Sequence, residues 1–351
     1  MQEIKKIRVL LIGGFPPPYG GITVHIQRLY KHCKELGIEC FVLDLPELAD
    51  KEYTNPDIIN PRRIFRLLRL KRKPLLVHFH VKAFGNAFKI WLLALFFFRQ
   101  KKIVTIHSGS FTKEFEDYPQ FRKWLIGRIL RFMDRIILVS EAQSAIVRKH
   151  FIVELPKVSV IPAFLYPDSD PAGLEQPIIQ LLRNESQPVF LVSGGYFDYY
   201  GYEMIIRFLQ DHPTITGIFA LYGKGDPIYR EKVQHMIAGV RNIIRFHDLS
   251  PEAFNWLLQH ANALLRNIDR DGDCVTIREA GYWKTPAIAT DAVERLPGTY
   301  LFPYNDRDGF ETAVWDVLAN PDRGIPVKPD DNQKKIIAIY DELRKKDREN
   351  S

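Results

Sequence analysis

Ile7-Arg-Val-Leu-Leu-Ile-Gly13, then Gly14-Phe-Pro-Pro-Pro-Tyr-Gly-Gly21, then the periodic run Ile22–Leu36 is the stretch on which the fold turns. A short apolar run closed by glycine reads as a strand buried on both faces. The Gly/Pro-rich loop cannot continue it, and Ile22–Leu36 has helical spacing with Gly37 at the position where a helix stops. Glu39–Leu45 is apolar and strand-like again. Strand, loop, helix and strand in this order open an α/β unit.

Outward from there the alternation continues. Leu75–His80, Lys102–Ile106, Arg135–Val139 and Val158–Ile161 read as strands, and Ala83–Phe98, Tyr118–Met133 and Glu141–Phe151 as helices. Residues 164–187 carry no sustained period and read as a linker. The pattern restarts with strands at Val189–Ser193, Gly217–Tyr222, Ile243–His247, Ala263–Arg266 and Ala287–Thr290. Helices fall at Tyr202–Gln210, Ile228–Ala238, Ala253–Gln259 and from about Val275. A last helix, Asn332–Lys345, is expected outside the second sheet. The spacing predicts two Rossmann-like domains with parallel sheets, at 1–163 and 188–325, joined by a linker at 164–187 and followed by a tail and helix at 326–351. Ligands of such sheets bind beyond the carboxyl ends of the strands, here expected in a central cleft between the two halves.

A chain of 351 residues is long enough for two such domains. At 46% hydrophobic and 26% charged it is a folded protein and not a disordered one. Three cysteines without metal-type spacing suit a reducing compartment, and no secretory h-region precedes the first strand, so a cytoplasmic location is expected. The charge is uneven. Residues 1–165 hold 28 Lys and Arg against 14 Asp and Glu, a balance of +14, while residues 166–351 hold 21 against 28, or −7. The first half is therefore expected to meet an anionic surface. Arg62–Lys73 places seven cations among twelve residues with Ile64, Phe65, Leu67, Leu68 and Leu70 at helical spacing, and Arg122–Arg131 repeats the mixture. A basic amphipathic helix binds an anionic leaflet, at about 1 kcal/mol per cation. The alternative is a solvated helix face. Nucleic acid is not expected, because no nucleic-acid module accompanies the charge. Ile90–Phe98 is nine residues long, whereas about twenty are needed to span a bilayer. It is either a core helix or one whose outer face touches lipid.

Several residues carry chemistry by type and place. The loop Gly13–Gly21 could present backbone N–H groups to an anion or be a tight turn; it is neither a Walker loop nor Gly-x-Gly-x-x-Gly, which removes a dinucleotide oxidoreductase. His78 and His80 alternate on one strand and share a face. No third ligand is visible beside them, so no metal site is expected. His107 ends a strand, where a ligand would lie. The densest cluster is Arg266–Glu279, with Asp271, Gly272 and Asp273 in a loop and Arg278 and Glu279 in the helix after it. Carboxylates suit paired sugar hydroxyls and an arginine fork suits a diphosphate. An EF-hand is excluded by its missing later ligands. Asp273 could also simply cap the helix.

Taken in this order, these residues resemble the GT-B glycosyltransferases of family GT4, over most of the chain. Gly20-Gly21-Ile22 looks like the family's acceptor-side glycine loop, and Thr105-Ile-His107-Ser-Gly resembles the strand end whose histidine lies beside the transferred sugar. Val139-Ser-Glu141 and Lys157-Val-Ser-Val-Ile-Pro162 resemble the run before the linker. The Glu-x7-Glu motif maps onto Asp271 and Glu279, with aspartate first, and Asp-Gly-Asp…Arg-Glu-Ala followed by Pro286-Ala-Ile-Ala-Thr is similar to one branch of the family. The resemblance implies a retaining transfer from a nucleotide-sugar that needs neither metal nor cofactor. Its acceptor would be a saccharide, lipid-linked at the inner face of the cell membrane, in bacterial surface polysaccharide or glycolipid synthesis. It implies that Asp271 contacts the sugar, Glu279 the ribose, and that His107 lies on the anomeric side. The family's two diphosphate cations, in Gly-Arg and Lys-Gly, are replaced by Gly194-Gly195 and Tyr200-Gly201, and Ile-Pro-Asn-Gly is Ile-Pro-Ala163-Phe. Buried phosphates need counter-charge, so Arg278 is expected to supply it, then Lys224, Arg266 and Arg270. The alternative is a degenerate protein that binds nucleotide or sugar without turnover.

Overall fold

The computed structural model describes residues 7–45, 53–60, 64–71, 75–84, 87–107, 111–151, 153–183, 187–271 and 274–349. The chain divides into two compact units: Met1–Pro17, Gly21–Leu165 and Asp331–Ser351 make the first, Pro18–Gly20 and Tyr166–Asp330 the second.

In the first unit β1 (Arg8–Gly13), α1 (Gly21–Glu35), β2 (Glu39–Asp44), β3 (Ile58–Ile59), α2 (Ile64–Lys71), β4 (Leu76–Val81) and α3 (Ala87–Phe96) follow in order. They are succeeded by β5 (Lys101–Ile106), α4 (Phe111–Glu114), α5 (Gln120–Arg131), β6 (Arg135–Leu138), α6 (Glu141–His150) and β7 (Val158–Val160). The sheet order is β3-β2-β1-β4-β5-β6-β7 and every pairing is parallel. Alternate side chains of one strand feed opposite cores, as the pleat requires: Leu10, Phe79, Val104 and Ile136 pack on one face, Val9, Leu11, Ile103 and Ile137 on the other. Gly13 lets α1 close on β1, since a Cβ there would stand 2.5 Å from Ile26 Cδ1. Of the basic stretch Arg62–Lys73, the ends lie outside the described residues. Within α2, Leu67 and Leu70 are buried and Leu68 is exposed.

In the second unit α7 (Gln176–Arg183), β8 (Val189–Gly195), α8 (Tyr202–Asp211), β9 (Thr216–Tyr222), α9 (Pro227–Ile237) and β10 (Ile243–His247) come first. Then come α10 (Pro251–His260), β11 (Ala263–Arg266), α11 (Val275–Trp283), β12 (Ala287–Thr290), β13 (Tyr300–Phe302) and α12 (Arg307–Ala319). The order β10-β9-β8-β11-β12-β13 is again wholly parallel. Asp226-Pro227 and Ser250-Pro251 start α9 and α10 by the same device: the first side chain accepts a backbone N–H while proline holds the first helical position, where it loses no bond.

The structure departs from the sequence expectation in three places. The stretch expected to be a linker contains α7, whose Ile178, Ile179 and Leu182 are buried with Leu191 and Trp256; eight residues are too few for their period to stand out. Phe164 and Leu165, also expected in the linker, are buried in the first unit. The last helix, α13 (Asn332–Glu349), returns to the first unit, so the expected tail at 326–351 is split at 330. Its Ile336, Ile337, Tyr340 and Leu343 join Val9 and Leu11 in one core, and the Tyr340 hydroxyl hydrogen-bonds His78 Nδ1 at 2.7 Å. Asn332 Nδ2 donates to Pro162 O and Phe164 O, and Glu342 pairs with Arg135. An amphipathic pattern shows that α13 needs a core but not which one.

Tyr340→Ala is expected to cost about 3–5 kcal/mol, the range for deleting a buried aromatic side chain. Tyr340→Phe, which removes only the hydroxyl that meets His78, should cost about 1–2 kcal/mol. Urea unfolding followed by fluorescence measures both; equal losses would mean that the hydrogen bond, and not the packing, anchors α13.

Candidate functional site

Of the residues singled out in the second unit, Lys224 follows β9, Arg266 ends β11 and Asp271 lies in the loop after it. Arg266 Nε and Nη2 donate to the two oxygens of Asp271 at 2.7 and 3.0 Å. Arg295 Nη1 donates to the same carboxylate at 2.7 Å while its Nε donates to Thr290 O at the end of β12. Only 10% of each Arg266 and Asp271 side chain is exposed, and 2% of Arg295. Burial alone would raise the Asp271 pKa, but the Arg266 and Arg295 guanidiniums outweigh it and hold the carboxyl down to about 2. Two cations on one carboxylate leave a net positive site. Arg295 was not singled out in the sequence; it lies 24 positions from Asp271 in a stretch without periodicity.

The loop after β8 is a ladder of rings. Phe197 and Tyr199 stack at 5.3 Å, Tyr199 and Tyr200 at 5.1 Å, and Tyr200 and Tyr202 at 5.5 Å. Gly194 and Gly195 make room for it: a Cβ on Gly194 would stand 2.2 Å from the Tyr200 ring. Gly201 takes a left-handed φ of 50°, and its missing Cβ lets Asn267 approach. Arg266 lies 5.6 Å over the Tyr200 ring and Arg270 5.1 Å over that of Tyr199. Thus where the sequence pattern lacks cations on this loop, cations from beyond β11 stack on the tyrosines that stand there. Arg270 is exposed and also pairs with Asp269.

α11 begins at Cys274, whose side chain caps nothing. Gly272 and Asp273 lie outside the described residues, and the N-cap position falls one residue after Asp273, the cap considered from sequence. Glu279 is buried on α11 and accepts from Asn255 Nδ2 at 3.3 Å. Asn255 is itself held by Trp283 Nε1 at 2.8 Å. Asn255 was not legible beforehand, since it faces α11 from α10, 24 positions before Glu279. Arg278 is half-buried on the neighbouring turn position and Lys224 is exposed after β9 between Gly223 and Gly225. Both glycines have left-handed φ, 68° and 59°. A separate cavity of ≈ 460 Å³, lined by Asp198, Glu203, Arg207, Lys232 and Arg307 among others, contains none of the residues expected to bind a donor.

Gly20 and Gly21 are exposed, and Gly21 opens α1 of the first unit. His107 follows β5, and its Nε2 lies 3.0 Å from His80 Nδ1. His25, from α1, sets its ring edge-on to His107 at 4.6 Å and tilted against His80 at 5.3 Å, and donates through Nδ1 to Ala163 O at 2.7 Å. His78 and His80 share a face, as their alternation predicts, with ring centroids 4.1 Å apart. Burial lowers the pKa of all four rings, that of His25 to about 4, so they are neutral. The expectation that His80 has no neighbouring ligands needs correction: two more imidazoles converge on it, from positions far away in the chain.

Asp271→Asn leaves Arg266 and Arg295 buried without counter-charge, and about 3 kcal/mol or more of stability should go at pH 7. Since the folded carboxyl titrates below its ordinary 3.8, its contribution is present above about pH 4 and is lost as pH falls towards about 2. Urea midpoints of wild type and variant should therefore converge on acidification; a gap that stays constant from pH 7 to pH 3 would count against the ion-pair account.

Residues 19–168 match the sequence model of Glycosyltransferase Family 4. No curated protein sequence matches the chain. Among solved structures, sucrose-phosphate synthase from Thermosynechococcus elongatus superposes with TM-score 0.64 at 16% identity, covering 97% of this chain and 98% of that one. The HepE protein of Anabaena in complex with UDP-glucose gives 0.64 at 14%, with 96% and 98% covered. A putative UDP-N-acetylglucosamine 2-epimerase from Listeria monocytogenes gives 0.63 at 15%, with 95% of each chain covered. The fold is of the GT-B type, and within it residues 19–168 are similar to Glycosyltransferase Family 4.

Proposed function

We propose that the chain is a glycosyltransferase that takes a sugar from a nucleotide-sugar, held by the second unit, and passes it to a saccharide acceptor, lipid-linked, at a membrane surface met by the first. The fold alone does not decide this, because transferases and an epimerase share it. The observation that carries the reading is the positive cluster of Arg266, Asp271 and Arg295 at the end of β11, followed by the side-chain-uncapped start of α11. A helix N-terminus and guanidiniums are what a departing nucleoside diphosphate needs. Because the protein supplies that charge itself, the transfer needs no divalent metal or cofactor. Arg266 and Arg278 would meet the diphosphate, with Lys224 and Arg270 at the rim. Asp271 would orient the sugar from its arginine clamp and Glu279 would hold the ribose. His107 would stand on the anomeric side, and the loop at Gly20 and Gly21 would receive the acceptor. Retention of configuration follows from the family resemblance. UDP-glucose and related UDP-sugars are the first donors to try, since neighbours of this fold were solved with UDP and UDP-glucose.

The membrane half of the reading rests on α3 and α5. On α3, Phe88, Leu92 and Leu95, with Phe98 just beyond, are 41–61% exposed, while Ile90 and Ala94 face the core. On α5, Phe121 and Trp124 stack at 5.8 Å and are 68% and 53% exposed. Arg128 lies 5.3 Å over Trp124, and Lys89 and Arg99 flank the α3 stripe. Exposed aromatics among cations suit the headgroup region of an anionic leaflet. No helix among the described residues is long and apolar enough to cross a membrane. Docking from the cytoplasmic side, in surface polysaccharide or glycolipid synthesis, is the setting we favour.

Two experiments test this. Melting curves with a panel of UDP-, GDP- and CMP-sugars should show one donor class raising Tm, and Arg266→Ala and Arg278→Ala should each weaken that donor by tenfold or more, about 1.4 kcal/mol. No response to any donor would sink the enzyme reading. Stabilisation with neither transfer nor hydrolysis would favour a binding protein without turnover, for which the two arginines already occupying Asp271 would be the reason. Independently, Phe121→Ser/Trp124→Ser should lower co-sedimentation with anionic vesicles severalfold while leaving donor binding unchanged; wild-type partitioning in that variant would remove the membrane surface.

A further inference from the structure

Three imidazoles from separate parts of the first unit converge beside the ends of β4 and β5. One ring nitrogen of each of His25, His80 and His107 lies within 4.8 Å of one on the others. We propose that these three histidines form a binding site for one divalent transition-metal ion, zinc first.

The hydrogen bonds carry the argument. A carbonyl can only accept, so the bond from His25 Nδ1 to Ala163 O fixes that ring's proton on Nδ1 and leaves a bare lone pair on Nε2. That Nε2 is buried and has no partner. A histidine oriented by a backbone carbonyl through one nitrogen and open at the other is the arrangement that metal-binding histidines adopt. His80 and His107 share one hydrogen bond, and their outer nitrogens, His80 Nε2 and His107 Nδ1, are also buried without partners. His78, on the same strand as His80, shows what a structural histidine looks like here: Tyr340 and Thr105 satisfy both its nitrogens at 2.7 Å. Of the three others, His25 leaves a bare buried acceptor, Nε2, aimed at the pair, and proteins seldom tolerate such an atom without a ligand.

An ion between His80 Nδ1 and His107 Nε2 displaces the proton of their hydrogen bond to an outer nitrogen. Each ring then stays neutral, carries one proton away from the metal, and no proton is lost to solvent. Zinc ligands at about 2.0–2.1 Å in tetrahedral array stand about 3.3 Å apart, against the 3.0 Å between His80 and His107. An all-imidazole set suits zinc, copper or nickel, and the absence of oxygen donors disfavours calcium and magnesium. Arg28, one turn from His25, adds a nearby positive charge that weakens the site without blocking it. Three protein ligands leave a fourth position for water or another ligand, and His107 is the least buried residue of the three.

The test uses the full chain stripped with EDTA. Calorimetric titration with zinc chloride should show one equivalent bound, and cobalt(II) should give the visible absorption of a low-coordinate nitrogen-ligated ion. His107→Ala, the least buried ligand, should lose both; His25→Gln serves as a second variant, and melting curves without metal establish that each is folded. No stoichiometric uptake, or uptake unchanged in both variants, overturns the site. Zinc should also slow transfer, since it occupies His107 Nε2; that readout rests on the proposed role of His107, while the binding titration does not, so the two can fail separately.

Discussion

Parallel strands covered by helices on both faces give this molecule its organising constraint. Along such strands water is absent from both sides, so their side chains must be apolar or must find partners within the core. Leu10 and Val9, or Val104 and Ile103, meet the requirement by serving opposite cores. Charged groups are driven to the strand ends. In the second unit this places Arg266 where β11 stops and Arg295 against the end of β12, and gives them a common carboxylate. In the first unit the constraint is broken at His78 and His80, mid-strand residues whose polarity has to be answered from elsewhere.

The answer differs between them. His78 is matched by a hydroxyl on each side, one from β5 and one from α13. Among the described residues, the His80 ring hydrogen-bonds another imidazole, that of His107, through one nitrogen. In the second unit the arginine pair on Asp271 solves a similar problem by charge, with the carboxylate neutralising one guanidinium and leaving the other's charge for the surroundings. A site assembled in this way is positive without relying on any residue of the loop after β8, which is free to carry tyrosines instead.

Much of this was legible from spacing. Strands such as Ile243–His247, Ala263–Arg266 and Ala287–Thr290 coincide with the short apolar-rich runs that predict them, even where, as in the edge strand β10, Arg245 and His247 interrupt the run. What escaped was short or long-range. β3 has two residues and β13 three, below the length at which alternation means anything. α7 hid in a segment rich in proline and glycine. Arg295, Asn255 and His25 reach their partners across 24, 24 and 55 or more positions, and no local pattern reports such a meeting. Conversely Asp271 and Glu279 were singled out by the motif around them, although neither the double arginine grip on the first nor the asparagine beside the second could be read.

The return of α13 to the first unit has a consequence for how the protein is made. The second unit is nearly continuous in sequence and can complete its sheet as soon as residue 330 has been synthesised. The first unit cannot. Until Ile336, Tyr340 and Leu343 emerge, the face of its sheet carrying Val9 and Leu11 is covered by α1 but not by α13, and His78 lacks one of its two partners. Domains usually settle in the order in which they leave the ribosome; here the earlier one has to wait, holding part of an apolar face open while its successor folds. The interval is one in which a chaperone, or an aggregating neighbour, has something to bind.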